Sequence, residues 1–345
     1  MAQRALLDTP RAAGYAMPAE WEPHERTLMA WPVREELWGD GLEEACRDYA
    51  TIARAIAAFE PVLMVAPPGA ADDVRRECGT SVDVVEIPID DSWIRDSGPI
   101  FVKKDGAPRA GVDFGFNGWG GKFVPYDRDN ALPAALLAEL GVDRFEAPLV
   151  LEGGSVCVDG EGTLITTEQC LLNPNRNPAL GRDEIEALLR EYLGVEKVIW
   201  LPHGLLEDHD TDGHVDNVAA FLGQALVLLQ TAPPGMPNHE RLAENVERVT
   251  GATDARGRQL EVVQLDVLPA TSVRGTPGCV PYTNLYLANG AAIVPVAGDD
   301  PDRDHEVLRA LSDALGPARE MVPVPGRRLA EGGGGVHCIT QQVPA

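Results

Sequence analysis

The stretch VAAFLGQALVLLQ (218–230), followed by NHERLAENVERVT (238–250) and LEVVQLDVL (260–268), reads in order as strand, helix and strand. Its outer pieces are apolar runs bounded by turn residues, and its middle piece carries apolar residues at helical spacing. The same alternation recurs on both sides. Upstream, residues 42–59 read as a helix, PVLMVAP (61–67) as a buried strand, 69–78 as a short helix, and VDVVEIPI (82–89) and PIFVKK (99–104) as strands. DNALPAALLAEL (129–140) reads as helix, SVCVDGEGTLITT (155–167) as a hairpin turning at Asp159-Gly160, RDEIEALLREYL (182–193) as helix and VEKVIWLP (195–202) as strand. Downstream come LYLANGAAIVPV (285–296), a hairpin, and DHEVLRALSDAL (304–315), a helix. A strand–strand–helix–strand rhythm of roughly 60–70 residues thus returns about five times, the mark of a repeated supersecondary unit. Gly and Pro are spread through turns rather than gathered into a linker, so the 345 residues are expected to form one domain.

Composition narrows the function. Lys and Arg number 29 against 54 Asp and Glu, a net charge of −25. Nucleic acid and anionic membrane both call for a basic surface, so neither is expected as a partner, and a cationic small molecule is favoured. Acidity also serves plain solubility, so charge alone does not decide the matter. No apolar run reaches the roughly 20 residues of a membrane span. The first 18 residues lack the continuous apolar stretch of a secretory signal, which makes the cytoplasm the expected compartment. The six cysteines lie far apart with no C-x-x-C pair, and are expected as free thiols rather than zinc ligands.

Four segments carry candidate chemistry. In EGGGGVHCITQQ (331–342) four glycines lead into Val336, His337 and Cys338; taken alone this is equally a flexible loop with an incidental cysteine. In HDTDGHVDN (209–217) His214 and Asp216 stand two apart, which on a strand would place both on one face. The bland alternatives there are a polar loop, or a divalent metal site from Asp208, His209, Asp210, Asp212 and His214. DDSWIRDSGPIFV (90–102) sets Trp93, Arg95 and Asp96 ahead of a strand, and LEGGSVCV (151–158) sets Glu152 before two glycines. One cysteine, one histidine and several carboxylates suit the breaking of a guanidinium C–N bond. Carboxylates pair with the N–H fork of the planar cation, a thiolate attacks its carbon, and an imidazole protonates departing ammonia and then activates water. The spacings fit the repeat: Asp96 to Glu152 is 56 residues, Glu152 to Asp216 is 64, and Asp216 to Cys338 is 122, near two repeats. The skipped repeat holds PYTNLYLANG (281–290), whose polar residues are candidates to line the same cavity.

MPAEWEPHERTLMAWP (17–32), WIRDSGP (93–99), NGWGGK (117–122), LEGGS (151–155), GHVDN (213–217) and GGGGVHCITQQ (332–342) together resemble the agmatine deiminases and their bacterial peptidyl-arginine-deiminase-like relatives, members of the guanidino-modifying superfamily. The resemblance implies the fivefold pseudosymmetric α/β propeller (the pentein fold) with the active site on its axis. It implies Cys338 as nucleophile, His214 as acid/base, Asp96 and Asp216 as the guanidinium clamp, and Glu152 as support for His214. Trp93, Trp119, Asp212 and Gly334 are the implied substrate-binding residues. No metal or cofactor is implied. The reaction implied is hydrolysis of agmatine to N-carbamoylputrescine and ammonia through a covalent amidino-cysteine, a step toward putrescine, in a homo-oligomer. Arginine, peptidyl arginine or another guanidino metabolite, amidino transfer to an amine, and metal-dependent hydrolysis are the alternatives. One position departs from the pattern: relatives often carry asparagine where this chain has Gly335.

Overall fold

A computed structural model describes residues 8–266, 271–273, 276–298 and 300–345. Strands β1 (His24–Ala30), β2 (Val62–Ala66) and β3 (Val82–Glu86) are mutually parallel. Three sheets follow in chain order: β4 (Ile100–Val102), β5 (Ala110–Gly115) and β6 (Asp143–Val150); β7 (Cys157–Val158), β8 (Thr163–Thr167) and β9 (Lys197–Leu201); then β10 (Ala219–Gly223), β11 (Leu226–Thr231) and β12 (Glu261–Asp266). After a two-stranded hairpin of β13 (Thr271–Val273) and β14 (Thr276–Gly278) comes a further sheet of β15 (Tyr286–Ala288), β16 (Ala291–Val296) and β17 (Glu320–Pro325). Last, β18 (Thr340–Pro344) runs antiparallel to β1, from Met29↔Thr340 to His24↔Pro344, and completes the first sheet.

The five sheets share one three-strand plan, to which the first adds β3 at its edge. The first strand pairs antiparallel with the second, a helix crosses over, and the third strand lies parallel to the second, which sits in the middle. A parallel return needs such a crossover, whereas the antiparallel step needs only a turn. The chain therefore folds as the expected fivefold α/β propeller. Helix 182–193 shows how sequence sets one crossover. Ile185, Leu189 and Leu193 recur every four residues and are the buried face. Glu184 accepts from the Gly181 N–H at 2.7 Å to cap the start, and Gly194, left-handed at φ 70°, ends it. Burial of those three side chains contributes about 1.5–3 kcal/mol each.

One reading is corrected. Residues 218–230 are not one strand but a hairpin, β10 and β11, turned at Gln224-Ala225 with φ 55° at Ala225; Gly223-Gln224 is the one break in the apolar run, and the turn lacks Pro, Asn or Asp. Of the strand expected over 260–268, Val267 and Leu268 lie outside the described residues.

Candidate active site

In each blade the chain reaches its first strand through a short turn, and each turn delivers a side chain or close backbone to a common centre. Asp96 lies in the short helix Ile94–Ser97 ahead of β4, and Glu152 opens the turn Gly153–Ser155 ahead of β7. His214 caps the turn Val215–Asn217 ahead of β10 and Asp216 lies within it, Asn284 precedes β15, and Cys338 sits in the turn His337–Ile339 ahead of β18. The expectation that His214 and Asp216 share a strand face is thus corrected: a 3-10 turn, not a strand, sets their spacing. Gly154 lies between them, and a methyl group there would sit 2.6 Å from His214 Nδ1, 2.8 Å from Asp96 Oδ1 and 2.9 Å from Asp216 Oδ2. The convergence of the three groups is what that glycine permits.

Asp96 is fixed from two sides. Its Oδ1 accepts the Gly154 N–H at 2.9 Å, and its Oδ2 accepts the Trp119 indole N–H at 2.9 Å. Residues 118–121 are all left-handed (φ 65°, 53°, 83° and 78°), a path open to NGWGGK because three of the four are glycine. Trp119 therefore does more than line a cavity: it orients a carboxylate. Burial pushes the Asp96 carboxyl upward, opposed by the charge on His214. His214 is wholly enclosed, with Nδ1 3.7 Å from Asp96 Oδ1 and Nε2 4.0 Å from Glu152 Oε2. Burial would lower its pKa, but the Asp96 carboxylate and the Cys170 thiol beside it outweigh burial and hold it well above the ordinary value. That shift favours the protonated ring. Glu152 stands too far away to hydrogen-bond it; its Oε1 instead accepts Arg176 Nε at 2.6 Å, both side chains fully buried.

Cys338 Sγ lies 3.2 Å from Asn284 Nδ2 and 3.6 Å from Asp216 Oδ2. Burial, then the Asp216 and Asp96 charges, push its thiol well up, with the Asn284 hydrogen bond opposing. Asp216 would rise through burial, but a hydrogen bond and charge from His337 bring it below the ordinary carboxylate value. These shifts favour a protonated Cys338, a protonated His214 and an ionised Asp216.

The glycine run is not a loose loop. A Cβ at Gly332, Gly333, Gly334 or Gly335 would come within 2.3 Å of Trp38, Asp210, Trp93 or Asn284 respectively. Four side chains pack onto bare backbone, and the space above Gly335 is filled by the Asn284 amide. Trp93 stacks on Trp38 at 6.0 Å. Above Cys338 opens a narrow cavity walled by Leu37, Trp93, Trp119 and Phe123, with Asp91, Asp96 and Asp210 as its charged lining.

Asp212 is corrected from substrate contact to brace. Its carboxylate is taken up by Lys122 Nζ at 2.6 Å, Arg176 at 2.7 Å and Asn175 at 2.9 Å, and it does not line the cavity. Nor do the acids at 208–216 form one metal-binding group. Asp208 accepts from the backbone N–H groups of Thr211 and His214 and from Asn217, tying the turn together. Among the described residues, the donors that do converge are Glu152, Cys170 and His214, within 4.8 Å of one another, and Arg176 already neutralises that group. Asn284, Arg176 and Gly154 were not singled out from sequence. Asn284 has a signal, as a polar residue in the repeat that the spacing skips, and Gly154 another, in the Gly-Gly pair after Glu152; Arg176 has none.

The sequence pattern of the Porphyromonas-type peptidyl-arginine deiminase family matches residues 16–344. The chain belongs to that family. The agmatine deiminase of Pseudomonas aeruginosa (strain LESB58) is 44% identical over 362 residues, covering 98% of this chain and 97% of that one. A solved structure of the agmatine deiminase of Enterococcus faecalis superposes with a TM-score of 0.95 at 35% identity, covering 99% of both chains. The DDAH of Pseudomonas aeruginosa, at 14% identity and a TM-score of 0.50 over 93% of this chain and 99% of that one, shares the fold alone.

Proposed function

We propose that this member of the family is an agmatine deiminase, hydrolysing agmatine to N-carbamoylputrescine and ammonia on the way to putrescine. The observation that carries the choice of substrate is the lining of the cavity above Cys338: it holds three acids and, among the described residues, no Lys or Arg. Asp91 is already paired with Arg34 at 2.6 Å, but the lining as a whole stays acidic, which favours a dication over a substrate bearing the α-carboxylate of arginine. Arg328, a candidate partner for such a carboxylate, is spent on Glu44 and Glu331; Arg327 pairs with Glu331 at 4.0 Å, and Arg274 lies outside the described residues.

Asp96 and Asp216 receive the guanidinium, and Trp93, Trp119 and Phe123 enclose the methylene chain. Arrival of the cation cancels the carboxylate charge that keeps the Cys338 proton in place, and the proton leaves to solvent. The thiolate attacks the guanidinium carbon. His214 then gives its proton to the departing nitrogen, the C–N bond breaks, ammonia leaves, and an S-amidino cation stays on Cys338. Neutral His214 takes a proton from water, whose oxygen bonds to the same carbon; the C–S bond then breaks and the hydroxyl proton of the adduct passes to solvent, returning thiolate and imidazolium with the ureido product. The Glu152–Arg176 pair braces this centre. We further propose that the whole chain acts as one domain, in the cytoplasm, as a homo-oligomer, and without nucleic acid as a partner; among the described residues no helix is long and apolar enough to cross a membrane. Purified enzyme is expected to release ammonia and ureido product from agmatine in equal amounts, with arginine turned over far more slowly, and Cys338→Ala is expected to lose at least about 10³-fold in kcat. Faster turnover of arginine, or full activity in the variant, overturns the reading.

A further inference from the structure

Behind the site lies a second cavity of about 500 Å³ that shares no lining residue with the first. Its charged lining is Glu20, Arg95, Asp216 and His337. Chain neighbours part company here: Asp96 and Cys338 face the substrate cavity, while Arg95 and His337 face this one. The His337 ring spans two carboxylates, with Nδ1 2.9 Å from Asp216 Oδ2 and Nε2 2.9 Å from Glu20 Oε2. Carboxylates only accept, so both ring nitrogens must donate, and the bridge is complete only for the imidazolium. Glu20 is itself anchored, by the Leu287 N–H at 2.8 Å and Arg95 Nη2 at 3.3 Å. Arg95 Nε also reaches the His337 carbonyl at 3.2 Å, and the His337 N–H donates to Asn284 Oδ1 at 2.9 Å. The other oxygen of Asp216, Oδ1, is buried and has no hydrogen-bond partner.

We propose that His337 and Glu20 are positioning residues that hold Asp216 by Oδ2, the oxygen 3.6 Å from Cys338 Sγ, and so fix that carboxylate beside the nucleophile for the guanidinium, a second imidazole–carboxylate pair serving the clamp rather than the acid/base. The inference rests on the proposed role of Asp216 as half of the clamp. Removing the bridge frees Asp216 to rotate and lets its charge settle elsewhere, so the loss falls on binding of the cation more than on turnover of bound substrate. The charged groups facing the ring are Glu20, Asp216 and Arg95, with the Cys157 thiol also in the cavity wall. Burial and Arg95 would lower the pKa of His337, but Glu20 and Asp216 outweigh them and hold it above the ordinary value. Asp216 is therefore secured below that raised pKa, and the hold is lost as pH rises through it.

The test compares wild type, His337→Gln and Glu20→Gln by kcat and KM across pH, using whichever guanidino compound the wild type turns over. His337→Gln is expected to raise KM about tenfold or more with a smaller change in kcat. Glu20→Gln keeps an acceptor for Nε2 but removes a charge, so at low pH its KM stays near that of wild type, and the base-side fall of kcat/KM moves to lower pH. Should His337→Gln fail to fold, Glu20→Gln carries the test alone. A KM and a base limb unchanged in Glu20→Gln overturn the inference, as does a loss confined to kcat. Preference of the wild type for arginine over agmatine overturns the substrate reading instead and leaves this comparison standing.

Discussion

Replacing Gly154 with alanine adds one methyl group at the centre of the reacting set. Its Cβ would stand 2.6 Å from His214 Nδ1, 2.8 Å from Asp96 Oδ1 and 2.9 Å from Asp216 Oδ2, where ordinary contact begins near 3.4 Å. The acid/base and both halves of the clamp must each retreat by about 0.5–0.8 Å, and a displacement of about 1 Å in such a constellation costs on the order of 10²-fold in rate. Gly154 does not have a left-handed φ, so the backbone tolerates alanine and the effect is one of crowding. The expected result is a fall in kcat/KM of about 10²-fold, equivalent to about 2.7 kcal/mol, beside a loss of stability of about 1–3 kcal/mol from overpacking. Ammonia release from agmatine measures the first and chemical denaturation the second. Gly223→Ala is the control: nothing stands within 4 Å of its Cβ, and its activity is expected within about twofold of wild type. A folded Gly154→Ala protein that keeps more than about a third of wild-type kcat/KM would refute the claim that these three groups act together around that position.

Two further substitutions probe the supports. Trp119→Phe keeps the ring but removes the N–H that bonds Asp96 Oδ2. Burial already raises Asp96, and that hydrogen bond lowers it, so the variant's carboxyl rises further. Binding of the cation needs the ionised form and is lost as pH falls through this pKa, so the acid limb of kcat/KM is expected to move up by about one pH unit; an unmoved limb counts against the assignment. Arg176→Leu leaves Glu152 charged and unpaired in the interior, and denaturant titration is expected to show a loss of about 3–5 kcal/mol, with less than about 1 kcal/mol contradicting the bracing role.

What could be read from the chain follows the range of the interactions. The helix at 182–193 is legible because its caps and its apolar face lie within a dozen residues. Cys338, His214, Asp96 and Asp216 are legible because each sits inside a short motif whose neighbours turn it inward. Asp212 misled for the same reason, since its motif shows its place in the turn but not Lys122 and Arg176, which meet it in space. The bridge from His337 to Glu20 spans 317 residues of sequence, and no local pattern encodes it. Gly154 stands in a Gly-Gly pair, yet what it makes room for comes from two other blades. The hairpin at 218–230 was missed because Ala225 takes a left-handed turn ordinarily given to glycine or asparagine.

The position just ahead of the first strand occurs five times around the axis, and it is occupied by five different solutions: Asp96, the Glu152–Gly154 turn, Asp216 with His214, Asn284 and Cys338. A ring assembled from five copies of a one-blade polypeptide would have to place the same residue at all five positions, giving five thiols or five acids but never one of each. Division of labour among equivalent places requires that the copies be joined in one chain and then allowed to diverge. Covalent continuity is therefore what lets a nearly symmetric scaffold host an asymmetric reaction. Designed rings of identical blades would need the same fusion before they could do more than bind.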